Sequence, residues 1–180
     1  KGHQVVDLNR GRASKKELTS VIAKTKPRLI CFNGHGDYNL IAGNEEILIK
    51  IGDNESLLAG SIVTVLACSS GKLLGPACIK TGTIAFIAYK EEFIFFYNNQ
   101  QTSSPLKDSR AKLFLDPANE IVYSLLKGHN VKESYQRSQR HYLQNIQGVL
   151  ASDSSNAYLA RYLVWDMRHQ IYLGNHNATL

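Results

Sequence analysis

One histidine and one cysteine, His35 and Cys68, each follow a short apolar run, and an imidazole beside a thiol is the minimum equipment for thiol catalysis. The first run, Arg28 to Gly36, reads R-L-I-C-F-N-G-H-G, and the second, Ser61 to Gly71, reads S-I-V-T-V-L-A-C-S-S-G. Both are apolar and too short to be helices, and the second is rich in β-branched residues, so each predicts a buried strand ending in a small-residue turn. In an open parallel sheet the carboxyl ends of neighbouring strands share one rim, which would put the two side chains next to each other. Gly34 and Gly36 flank His35, and a glycine at 36 lets the backbone approach a substrate carbonyl with its N–H free. Ser69, Ser70 and Gly71 add little bulk after the cysteine, so little would crowd an attack on its sulfur.

A hydrophobic strand ending in His-Gly, followed by one ending in Ala-Cys, resembles the caspase-like cysteine peptidases: caspases, gingipains, separase and the bacterial CHAT domains. The Cys-Ser-Ser-Gly continuation is most similar to separase and CHAT. It departs from the caspase signature Q-A-C-[RQG]-G, and the 33 positions from His35 to Cys68 are fewer than the roughly 50 of that signature. A helix, a short strand and the ending G-N-H-N-A-T-L are also similar to the close of CHAT and gingipain-like domains. The resemblance implies an α/β fold, a three-layer sandwich with a mostly parallel central sheet and helices on both faces. It implies a cysteine endopeptidase acting through an acyl-thioester, with Cys68 as nucleophile and His35 as base, or mainly as proton donor to the leaving amine. The backbone N–H groups of Gly36 and Cys68 would form the oxyanion hole. In separase and gingipain-like relatives an acidic residue after the catalytic strand receives a basic P1 side chain. Here Glu92, then Glu91, in Lys90-Glu91-Glu92 are the candidates, with Asp37 behind them. No residue that orients His35 is legible. The family's first, central strand and its helix would precede Lys1, so residues 1–180 read as one domain of a longer protein or complex.

Composition is that of an ordinary globular domain, at 180 residues, 43% hydrophobic and 20% charged. No apolar stretch reaches the roughly 18 residues of a membrane span. The formal charge of +6 is dispersed and lacks interleaved aromatics, which disfavours a nucleic-acid platform. Cys31, Cys68 and Cys78 are odd in number, so free thiols in a reducing compartment, the cytoplasm, are expected, with Cys31 and Cys78 as core residues. The histidines outside the Gly-His-Gly turn have no H-x-x-x-H or C-x-x-C spacing, and Asn33-Gly-His-Gly lacks the phosphate-loop pattern. No metal, cofactor or membrane is expected, and the expected partner is a protein or peptide substrate. A catalytically silent interaction module of the same fold is the alternative, and a flavodoxin-like ligand-binding domain a third reading.

The remaining elements have to hold the two turns in place. His3 to Leu8 predicts a strand, and Ser14-Lys-Lys-Glu17 predicts a capped helix that presents Leu18, Val21 and Ile22 and stops at Pro27. Residues 37–44 read as a loop, 46–51 as a short strand or half a hairpin, and 57–58 as a helical turn. A helix over 72–80 is shortened or kinked by Gly75-Pro76. Residues 82–88 predict a buried strand that 93–97 continue or neighbour, and 98–109 a loop. Asp116-Pro117 predicts the start of a helix ending at Gly128, helical spacing from Val131 to Val149 a long one, 152–167 another, and 169–174 a closing strand.

Overall fold

The computed structural model describes residues 2–43, 46–99, 107–151 and 156–180. In chain order the elements are α1 (Lys15–Thr25), β1 (Leu29–Asn33), β2 (His35–Asp37), β3 (Leu40–Ala42), β4 (Ile47–Lys50), β5 (Ile62–Leu66) and α2 (Leu74–Lys80). They are followed by β6 (Ala85–Tyr89), α3 (Ser109–Leu126), α4 (Val131–Ala151), α5 (Ala160–His169) and β7 (Gln170–Gly174). The main sheet has the order β1-β5-β6-β7; the first three strands are parallel and β7 is antiparallel to β6. The protein is therefore an α/β fold built on a mixed, mostly parallel sheet.

Period-two alternation sends the strand side chains to opposite faces. Ile30, Phe32, Val63, Val65, Phe86 and Ala88 pack with Leu18 of α1 and with Leu74 and Cys78 of α2. Ile62, Ala85 and Ile87 pack instead with Ile121 and Leu125 of α3 and Val131 of α4. Helices thus cover both faces. A third apolar cluster joins α3, α4 and α5 through Phe114, Tyr142, Ile146 and Leu163.

Local chemistry accounts for most boundaries. Ser14 Oγ accepts the Glu17 N–H at 3.2 Å to start α1, and Lys26, left-handed at φ 44°, ends it before Pro27. Asn130 and Glu133 exchange side-chain-to-backbone hydrogen bonds at the head of α4. Gly128, at φ 89°, turns the chain between α3 and α4.

Five expectations need correction. Residues 3–8 form no strand: Val5 and Val6 are 80% and 44% exposed, and no backbone ladder holds them. Residues 37–44 are not simply a loop, because Leu40–Ala42 is the middle strand of a small antiparallel sheet, β2-β3-β4, that buries Ile41 and Ile49. Residues 93–97 pair with no strand. The third helix does not start at Asp116-Pro117, because Asp108 caps it eight residues earlier by accepting the N–H groups of Arg110 and Ala111. Pro117 sits inside α3, and the Leu113 carbonyl left without a proline N–H accepts Asn145 Nδ2 at 2.8 Å. Finally, Cys31 is exposed and not in the core, on β1, the edge strand of the main sheet. Residues 100–106 and 152–155, parts of the expected loop and of the next helix, lie outside the described residues.

Candidate active site

Cys68 lies two residues beyond the end of β5. The turn that carries it is tied down on the β6 side. Ser69 N donates to the Glu91 carbonyl at 3.0 Å and Gly71 N to the Tyr89 carbonyl at 2.9 Å. Ser69 has φ 55°, a conformation that a residue with a side chain adopts only where its surroundings over-determine it. Ser70 is fully buried, with Oγ donating to the Ala67 carbonyl at 3.3 Å. A Cβ on Gly71 would lie 2.9 Å from Ile171 Cδ1 and 3.0 Å from the Tyr89 carbonyl oxygen. The run Ser-Ser-Gly is small because it packs beneath the turn against β6 and β7. Cys68 itself is half-buried and makes no hydrogen bond to any described residue, through either its N–H or its thiol.

The histidine arrives from the neighbouring strand. Gly34 N donates to the Leu66 carbonyl at 3.2 Å, which carries the β1/β5 pairing one step past Asn33. His35 is therefore not the last residue of its strand; it opens β2, the first strand of the small sheet. Gly36 then passes directly over the cysteine turn. A Cβ at 36 would lie 2.7 Å from the Cys68 carbonyl oxygen and 2.9 Å from Ala67 Cβ, so only glycine permits this approach. Three residues after Gly71, Leu74 N donates to the Tyr38 carbonyl at 2.8 Å and adds a second tie. The two turns are brought together at the carboxyl ends of adjacent parallel strands. His35 is exposed, and its imidazole has no hydrogen-bond partner among the described residues. Asp37 does not orient it: its Oδ1 accepts the N–H of Tyr38 at 2.7 Å.

The two glutamates have different surroundings. Glu91 is half-buried beside Ser69, and its Oε1 pairs with Lys72 Nζ at 3.1 Å. The same ammonium lies 4.6 Å from the centre of the Tyr38 ring. Glu92 is exposed, and its carbonyl accepts Trp165 Nε1 at 2.9 Å. After it the chain runs along α5, where Ile94 N donates to Asp166 Oδ1 at 3.0 Å. Sequence reasoning missed Lys72, Tyr38, Trp165 and Asp166 around this site. The one available signal was an aspartate three positions after Leu163 on the apolar stripe of α5. Asp166 is fully buried and its Oδ2 has no partner among the described residues; burial pushes its carboxyl up to about 8, with the Ile94 N–H opposing.

The other two thiols are set apart from the site. Cys78 is fully buried in α2, and burial, with the Glu55 carboxylate adding to it, pushes its thiol up to about 12. The Cys31 thiol is raised by its protein surroundings, with a hydrogen bond from Thr64 opposing. All three cysteines are free. Among the described residues no three His, Cys, Asp or Glu side chains converge as metal ligands, and no helix is long and apolar enough to cross a membrane. No family model, curated protein or solved structure matches the chain.

Proposed function

We propose that this domain is a cysteine endopeptidase of the caspase-like kind, with Cys68 and His35 as its catalytic dyad. Cys68 Sγ bonds to the scissile carbonyl carbon, and the thiol proton passes through His35 to the amine as the peptide C–N bond breaks. Water then cleaves the resulting thioester and regenerates the thiol. The Cys68 N–H, which no described residue engages, and the N–H of Gly36 are the donors assigned to the oxyanion, and losing one such donor typically costs about a hundredfold or more in rate. The single observation that carries the reading is the Gly36 contact, a close backbone approach that holds the histidine turn against the cysteine turn.

A basic P1 residue belongs to the same proposal, with Glu91 or Glu92 as its acidic receiver. So do a cytoplasmic setting and a place within a longer protein or complex. The second reading is a silent module of this fold that binds a partner peptide, and it is favoured by one observation, the absence among the described residues of any hydrogen-bonded group orienting the His35 imidazole. Peptide-library cleavage by the wild type and by Cys68→Ala separates the two. Cleavage lost in Cys68→Ala and in His35→Ala, with thermal unfolding unchanged, is the expected result; cleavage retained without Cys68, or none by the wild type, overturns the peptidase reading.

A further inference from the structure

We propose that Lys72 is the specificity-determining residue of this site, because its ammonium occupies the subsite that would otherwise receive a cationic substrate side chain. The inference rests on the peptidase reading for the word substrate, while the subsite itself rests on geometry alone. Its walls are the Glu91 carboxylate, 3.1 Å from Lys72 Nζ, and the face of the Tyr38 ring, whose centre is 4.6 Å from the same nitrogen. A carboxylate on one side and an aromatic face on the other is what an alkylammonium or guanidinium group is recognised by.

The place of this pair in the fold makes it a subsite. Glu91 is one hydrogen bond from Ser69, the residue after Cys68, and Lys72 lies on the same turn, its N–H donating to the Ser69 carbonyl at 3.0 Å. Tyr38 belongs to the hairpin that carries His35 and is tied to the α2 start through Leu74 N. Both walls and the ammonium between them therefore border the two turns of the dyad. The Lys72 and Glu91 side chains are 46% and 33% exposed, so the pair can open to solvent without disturbing the core.

A resident cation lowers the apparent affinity of any incoming one by the fraction of time the subsite is free. An exposed ion pair and a cation on an aromatic face are each weak, so removing Lys72 is expected to raise cation affinity roughly three- to thirtyfold. Competition of this kind has a distinguishing mark. Every cationic group meets the same competitor, so arginine and lysine side chains gain by the same factor and their ratio stays fixed, while an uncharged side chain gains nothing.

The test titrates acetyl-arginine methylamide, acetyl-lysine methylamide and acetyl-norleucine methylamide by NMR into Cys68→Ala protein, with and without Lys72→Met. Equal gains for the two cationic amides, none for the norleucine amide, and loss of the gain in Lys72→Met/Glu91→Gln are expected. No gain, a gain shared by norleucine, or a gain that survives Glu91→Gln overturns the proposal. Because Cys68 is absent from the test, competition seen alongside a wild type that cleaves nothing overturns the peptidase reading and leaves the subsite standing. Cleavage without competition does the reverse.

Discussion

The carbonyl oxygen of Glu91 accepts the amide proton of Ser69 at 3.0 Å, so the residue two places beyond β6 closes the turn that presents Cys68. The bond fixes the left-handed Ser69, and it also sets the first carboxylate after β6 beside the cysteine turn while Glu92 is drawn toward Trp165. The turn that presents the thiol and the placement of the first carboxylate after β6 are therefore tied together by one contact between two distant stretches of chain.

Gly36→Ala is expected to damage the site more than Cys68→Ala does. The new methyl would lie 2.7 Å from a backbone oxygen, which cannot rotate away as a side chain can, so the two turns must separate. Overpacking of this kind typically costs about 1–3 kcal/mol. Urea unfolding should show that loss for Gly36→Ala and almost none for Cys68→Ala, with any Cys68-dependent turnover lost in both. Equal stability of the two variants would show that the approach of the turns is slack.

Thiol reactivity should follow the order Cys68, Cys31, Cys78. Cys68 is half-buried and unengaged, Cys31 is exposed with a thiol raised by its surroundings, and Cys78 is buried with its thiol at about 12. Only the thiolate attacks iodoacetamide, so at pH 8 Cys78 should stay unlabelled until the protein unfolds. Mass mapping that finds Cys31 modified first would mean that exposure outweighs thiolate formation here.

Asp166 should make the fold more stable in acid than at neutral pH. Its folded value, about 8, lies above the unfolded value of roughly 4, so between those pH values unfolding releases a proton and stability falls as pH rises. Above about 8 both states are ionised and the contribution is flat. Asp166→Asn keeps an acceptor for Ile94 N–H and removes the titration. The wild type and the variant should be nearly equal at pH 4, and the variant more stable by up to several kcal/mol at pH 8. Parallel urea curves at every pH would show that the carboxyl is ordinary.

Asn145→Ala should cost about 1 kcal/mol, because it orphans the Leu113 carbonyl that Pro117 leaves free. Pro117→Ala restores the missing N–H within α3 and should make Asn145→Ala nearly harmless in the double variant. A double-mutant cycle with no coupling would place the role of Asn145 elsewhere.

Short apolar runs bounded by glycine, serine and proline made β1, β5, β6 and β7 legible from sequence, because strand length and period-two burial are local properties. The same holds for the Ser14 cap, for the end of α3 before Gly128, and for the nomination of His35 and Cys68 from their flanking residues. Where a segment's fate depends on a partner, local signals misled. Residues 3–8 have strand composition but no neighbouring ladder, and Asp116-Pro117 looks like a helix start until Asp108 caps the chain earlier and Asn145 takes the stranded carbonyl. Cys31 reads as core in a strand pattern, yet only the position of β1 at the sheet edge decides that it is exposed. The sequence by itself marked the strands of the main sheet and nominated His35 and Cys68 as candidates for thiol chemistry. Only the tertiary structure decided that Gly36 rests on the Cys68 carbonyl, that Glu91 is held by Lys72 and that Asp166 is buried with no second partner among the described residues. Those contacts join residues far apart in the chain, and no local pattern records which of them packing will bring together.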